Sequence, residues 1–199
     1  MQVKKGILNV FSIGVISTFL VLGIWGLQPL KAGEYEKEEY GPLLKVLPHS
    51  KITLTEGIQQ ATKTPETPIS AKFELDDNKK LSLSVYTAEK GLGTDAEHNV
   101  LKELAGSPEE EKWNPEVEVF KDPEHLKRSA QQLTLMAISP HSLLDILHKA
   151  SKDQQGIVFS ITPVVENHKP QFVVLVAAQD KVVELRYDLM TGNALATKK

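Results

Sequence analysis

The 199-residue chain contains no cysteine. That excludes a disulfide framework, thiolate metal sites, a cysteine nucleophile and the lipidated cysteine of a lipoprotein anchor. It also lacks a basic excess: 23 Lys and Arg stand against 26 Asp and Glu, a formal net charge of -3. Residues 1–32 hold Lys4, Lys5 and Lys31 and no acid, so without them the charge is -6. A nucleic-acid surface needs clustered cations to displace phosphate counterions, so nucleic acid is excluded as a partner.

Catalytic and metal-binding frames are missing as well. Ser139 and Ser142 flank His141, but neighbours in sequence point apart on a helix, no GxSxG occurs, and both serines suit helix caps. "KGLG" at 90–93 has neither the length nor the downstream Lys-Ser/Thr of a phosphate loop. The acidic run at 109–111 lacks the alternating Asp frame of a calcium loop. Of six histidines, His141 and His148 lie seven apart on one expected helix, with His125 on the preceding one. These three are the candidate metal ligands, with Asp145 as a fourth group, although no HxxxH or HExxH spacing supports them. The expectation is a non-enzymatic protein with no cofactor.

What is present starts with "MQVKKGILNVFSIGVISTFLVLGIWGLQPLKAG". Two lysines precede an uncharged run at 7–27, long enough to cross a bilayer, which takes about 20 apolar residues. Residues 1–32 therefore read as a signal peptide or membrane anchor. The run's length suits an anchor, Pro29 and Ala32 suit cleavage before Gly33, and both remain open. Either way the rest is expected outside the cytoplasm, with another exported or membrane protein as partner. Residues 33–50, charged and then broken by Gly-Pro and a second proline, read as a linker whose Leu43, Leu44, Val46 and Leu47 could dock on the domain. The hydrophobic content of 41% is enough for real cores beyond it.

An internal repeat organises the remainder. At a shift of 89, "TLTEGIQQATK" (53–63) lies over "SLLDILHKASK" (142–152), and "NKKLSLSVYTA" (78–88) over "NHKPQFVVLVA" (167–177), without a gap. Thr53 precedes Glu56, and Ser142 precedes Asp145, at the capping-box spacing. Leu54, Ile58 and Ala61, like Leu143, Leu147 and Ala150, form one apolar stripe each. Ile69, Ala71, Phe73 and Leu75 alternate with polar residues, "DDNKK" turns, and Leu81, Leu83 and Val85 alternate again, as in a half-buried hairpin. The second half follows suit through Ile157, Phe159 and Ile161, with a bulge expected near Pro163, and closes on Val183, Leu185 and Tyr187. In the first half 117–122 is the expected third strand, after an insert at 89–115 read as a short helix capped by Thr94 or Asp95 and an acidic loop holding Trp113. Pro123 then starts a connecting helix, 123–138.

A helix, a hairpin and a third strand ending in Asp188-Leu-Met-Thr191-Gly192 resemble the PepSY domain, best from Ser142 to Leu195. The resemblance implies an α+β, cystatin-like fold with helix on antiparallel sheet, in two tandem units at 51–122 and 139–199. It also implies export and a binding, inhibitory or regulatory role, with no catalytic residues to carry over. Asp188, Thr191 and Gly192 read as a structural turn. The insert, through His98, Leu101, Leu104 and Trp113, is the expected partner surface, Trp113 anchoring it on the core or on a partner. The alternatives are inhibition of an exported metallopeptidase, or binding of a small molecule or metal in a groove between the units.

Overall fold

The computed structural model describes residues 40–63, 65–110, 112–179 and 181–195. The expected export or anchor segment, 1–32, lies outside them. Among the described residues no helix is long and apolar enough to cross a membrane.

The fold is α+β: the described residues form four α-helices and a seven-stranded antiparallel sheet. Helix α1 is Tyr40–Val46, followed by a 3-10 turn at Leu47–His49, and α2 is Leu54–Ala61. Strands β1 (Thr67–Leu75), β2 (Leu81–Ala88), β3 (Leu101–Gly106) and β4 (Glu116–Val119) come next. Helices α3 (Pro123–Ile138) and α4 (Leu143–Asp153) precede β5 (Ile157–Glu166), β6 (Lys169–Ala178) and β7 (Lys181–Asp188). The sheet order is β4-β3-β2-β1-β5-β6-β7. The same succession, helix then three antiparallel strands, thus occurs twice, and the halves meet where β1 pairs with β5 through Ala71 opposite Ile161 and Lys72 opposite Ser160.

Both leading helices start from a complete capping box. Thr53 accepts from the Glu56 N–H while the Glu56 carboxylate accepts from the Thr53 N–H, and Ser142 and Asp145 repeat the exchange. Their apolar stripes cover one face of the sheet. Gly57 lets α2 approach so closely that a Cβ there would stand 2.2 Å from Leu83 Cδ2, and the hydroxyl of Tyr187 donates to Asp153 at the end of α4 (2.8 Å). Alternation sends Ser70, Ser84 and Tyr86 to the opposite face, where α3 lies. There the buried Ser70 hydroxyl donates to Gln132 Oε1 (2.8 Å), and Ser129, Gln132, Leu133 and Met136 give α3 one buried stripe. The sheet is therefore covered on both sides where the halves join. In the β5–β6 hairpin, Asn167 and His168 both take positive φ (50° and 62°), as a two-residue type I′ turn requires.

Several expectations are corrected. The segment at 33–50 is not wholly a linker: from Tyr40 it is helical, with Tyr40, Leu43 and Leu47 buried and Tyr40 edge-on to Phe159 at 5.7 Å. Gly41 and Pro42 fall in the first turn, where proline leaves no intrahelical hydrogen bond unmade. Among its described residues the insert at 89–115 holds no helix. Asp95 does accept from the His98 N–H, but Asn99 ties the loop through Lys90 N, Gly91 O and Thr94 O, and 101–106 pairs with β2 instead. Leu101 and Leu104 stand three apart, a helical spacing, yet strand pairing sets Leu101 opposite Ala88 and Leu104 opposite Val85. Hence β3 takes the third-strand place assigned to 117–122, and β4 is a fourth strand outside it. The bulge falls between Val158 and Ser160, not near Pro163, and β1 carries a similar irregularity between Pro68 and Ser70.

Because both halves share one sheet, Ile161→Ala, which hollows the junction at a fully buried residue, should cost about 2–5 kcal/mol. Native-state hydrogen exchange should speed up in β2 as well as in β6. Unchanged protection in β2 would mean that the halves unfold independently.

Candidate functional site

The two outer strands differ. At the β7 side the chain returns on itself: Asp188 N–H donates to Asn193 O (2.9 Å), Leu195 N–H to Arg186 O (2.8 Å), and Tyr187 bridges to Ala194. The turn between is dense. One oxygen of Asp188 accepts from the N–H of Met190 and of Thr191 and from the Thr191 hydroxyl, Gly192 takes φ 62°, and Leu189 is fully buried. Lys149 of α4 donates to Gly192 O (2.9 Å), Ser139 to Leu189 O (3.1 Å), and the His141 ring lies over Gly192. The polar groups of this turn are thus spent on backbone, as in a clamp between β7 and α4.

At the other side, all four residues of β4 are exposed, including Val117 (58%) and Val119 (45%). The strand is nonetheless held at both ends. Before it, Trp113 is buried and its ring N–H donates to Gly106 O (3.3 Å); a side chain on Gly106 would meet Trp113 and Pro115. After it, Phe120 N–H donates to Leu101 O (3.0 Å), and its ring stacks between Tyr86 (5.9 Å) and His125 (5.1 Å). Asp122 caps α3, accepting from the His125 N–H and bonding His125 Nδ1 (2.8 Å). An open depression of about 530 Å³ runs beside this edge, lined by Val117, Glu118, Val119, Lys121 and Asp122.

Charge around the edge is uneven. Lys102, opposite Val119, is bound by Glu66 (3.2 Å) and Glu89 (3.1 Å). Its burial pushes its pKa down, but the two carboxylates more than offset that and hold it above the ordinary lysine value. On the other face Glu103 stands directly opposite Glu118. Burial raises the Tyr86 hydroxyl well above its usual value. A separate ion network on β5 and β7 holds Arg186 between Glu184 and Glu166, with Gln171 donating to Glu166; burial raises the Glu184 carboxyl.

The histidine candidates do not converge. His125 lies at the start of α3, on one side of the sheet, whereas His148 is in α4 on the other and His141 precedes that helix, outside it, so the two do not share the expected helix. Asp145 is committed to the Ser142 N–H (2.9 Å) and hydroxyl (2.7 Å). Among the described residues no three His, Asp or Glu side chains are grouped to hold a metal. The expected partner surface also changes: Leu101 and Trp113 are core residues, Leu104 is half-buried opposite Val117, and His98 is exposed and paired with Asp95 (2.8 Å). The accessible groups on this side are Val117, Glu118 and Val119, which the sequence reading assigned to the third strand of the first unit. "PEVEVFKDP", a short charged alternation fenced by Pro115 and Pro123, was the available signal of an edge strand.

No protein-family model matches the chain, and no curated protein sequence does. The chain is similar to a solved structure described as a "putative lipoprotein" from Clostridium difficile 630, at 16% identity and a TM-score of 0.38, over 74% of this chain and 92% of that one. Likeness at that level bears on neither fold nor function, and this chain has no cysteine to carry a lipid.

Donation from the Thr191 N–H holds the Asp188 carboxyl below the ordinary aspartate range. A depressed native pKa gives stability that is present above the unfolded value, about 3.9, and lost as pH falls through the folded one. Asp188→Ala should therefore lower the urea midpoint at neutral pH, with the gap to the parent narrowing as pH falls below the aspartate range. A gap independent of pH would show that the carboxylate charge is not what holds the turn.

Proposed function

We propose that the protein is a non-enzymatic binding module working outside the cytoplasm, exported or anchored through residues 7–27 and formed by duplication of a PepSY-like unit. The observation that carries the binding role is the β4 edge, exposed along its length yet fixed at both ends by Trp113 and Phe120. A strand held at both ends and, among the described residues, without a neighbour on its outer side offers main-chain donors and acceptors to another polypeptide at little ordering cost of its own. The duplication is supported by the twofold succession of capped helix and three antiparallel strands. The location is supported by Lys4 and Lys5 ahead of the uncharged run. The non-enzymatic reading is supported by the use of Ser142, Asp145, Asp122 and Asp188 as backbone caps.

The test is photo-crosslinking in the native cells, with a photoreactive residue in place of Val117 or, as a control on the exposed side of α4, of Lys152. A discrete partner crosslinked from Val117 only, on a chain in the membrane or exported fraction, is the expected result. A cytosolic chain, or equal labelling from both positions, would overturn the proposal.

A further inference from the structure

Resting on that binding role, the geometry points to the chemistry of the occupant: an extended basic segment of another polypeptide, alternating lysine or arginine with apolar residues, added to β4 as an eighth strand.

The two faces of β4 dictate this alternation. Val117 and Val119 lie on one face, beside Leu104 and the aliphatic stem of Lys102, whose charge is already matched by Glu66 and Glu89. Glu116 and Glu118 lie on the other, and Glu118 has Glu103 directly across from it. Like charges opposite one another in an antiparallel pair repel. Among the described residues neither Glu103 nor Glu118 forms an ion pair with a cation. An incoming strand places its own residues next to these on each face. Cations on the glutamate face relieve that repulsion, and apolar residues on the valine face cover side chains that are now about half exposed. The open depression along 117–122 leaves room for such a strand.

A second copy of the chain fits less well. Antiparallel pairing of β4 with itself, centred on Val117 or on Glu118, sets glutamate against glutamate, the arrangement that keeps edge strands from joining. An acidic or neutral strand leaves the Glu103–Glu118 repulsion in place.

The experiment uses purified full-length protein in detergent and three labelled synthetic peptides, alternating lysine with valine, glutamate with valine, and lysine with serine. Fluorescence anisotropy should show binding of the lysine–valine peptide only, weakened by salt and at least tenfold weaker for Glu118→Lys. Hydrogen exchange should show the bound peptide protecting β4 amides and not those of β7, while unchanged protection in β2 and β6 shows that the variant is folded. Equal binding of the lysine–serine peptide, binding undiminished in Glu118→Lys, protection elsewhere, or no binding at all would overturn the inference. So would a chain that sediments as a dimer through β4. A crosslink from Val117 that persists in Glu118→Lys would leave the binding role standing and remove only the basic occupant.

Discussion

Two residue pairs, Ala71 with Ile161 and Lys72 with Ser160, join the halves of the sheet, and the rest of the architecture is arranged around that short junction. A seam of this length holds little by its hydrogen bonds alone, since each contributes about 1 kcal/mol net. It is secured by burial on both sides. Ala71 and Ile161 are almost wholly enclosed under α2 and α4, and α3 crosses the opposite face, where Gln132 takes the Ser70 hydroxyl. The helices act as straps over a seam, so seven strands behave as one sheet.

From this centre the strands run outward to edges of different character. The β7 side ends in a turn whose polar atoms are consumed by backbone, by Lys149 and by Ser139. The β4 side ends in a strand whose neighbours are buried but whose own four residues are not. The core does not need Val117 and Val119, and the charges beside them are unbalanced on one face only. Among the described residues this strand is held at both ends, has no neighbour on its outer side, and carries two chemically different faces.

Much of this was legible because local chemistry and final environment agree. Thr53 with Glu56 and Ser142 with Asp145 announce helix starts from spacing alone, and the alternation from Ile69 to Val85 announces a hairpin with one buried face. The misread parts are those where local spacing serves two structures. Leu101 and Leu104 suit a helix as well as a strand, and only the open side of β2 decides between them. Gly41 and Pro42 look like a break but fall in a first turn, where they are tolerated. The alternation of 116–119 declares a strand and is silent about its neighbours, so a fourth strand was taken for the third. The candidate site was hidden for that reason, and Trp113, the most conspicuous residue nearby, proved to be its support rather than its surface.

The seam also fixes an order of events during synthesis. Strand β1 is complete about 80 residues before β5 begins, so the first half leaves the ribosome with one side of β1 lacking its neighbour. Contacts of such long sequence separation form late. During that interval the nascent chain is most prone to pair with a stranger. Pro68, which has no N–H to offer, and the charged Lys72 sit on the strand concerned, and both are residues that discourage premature pairing. They guard an interior strand that begins its existence as an edge.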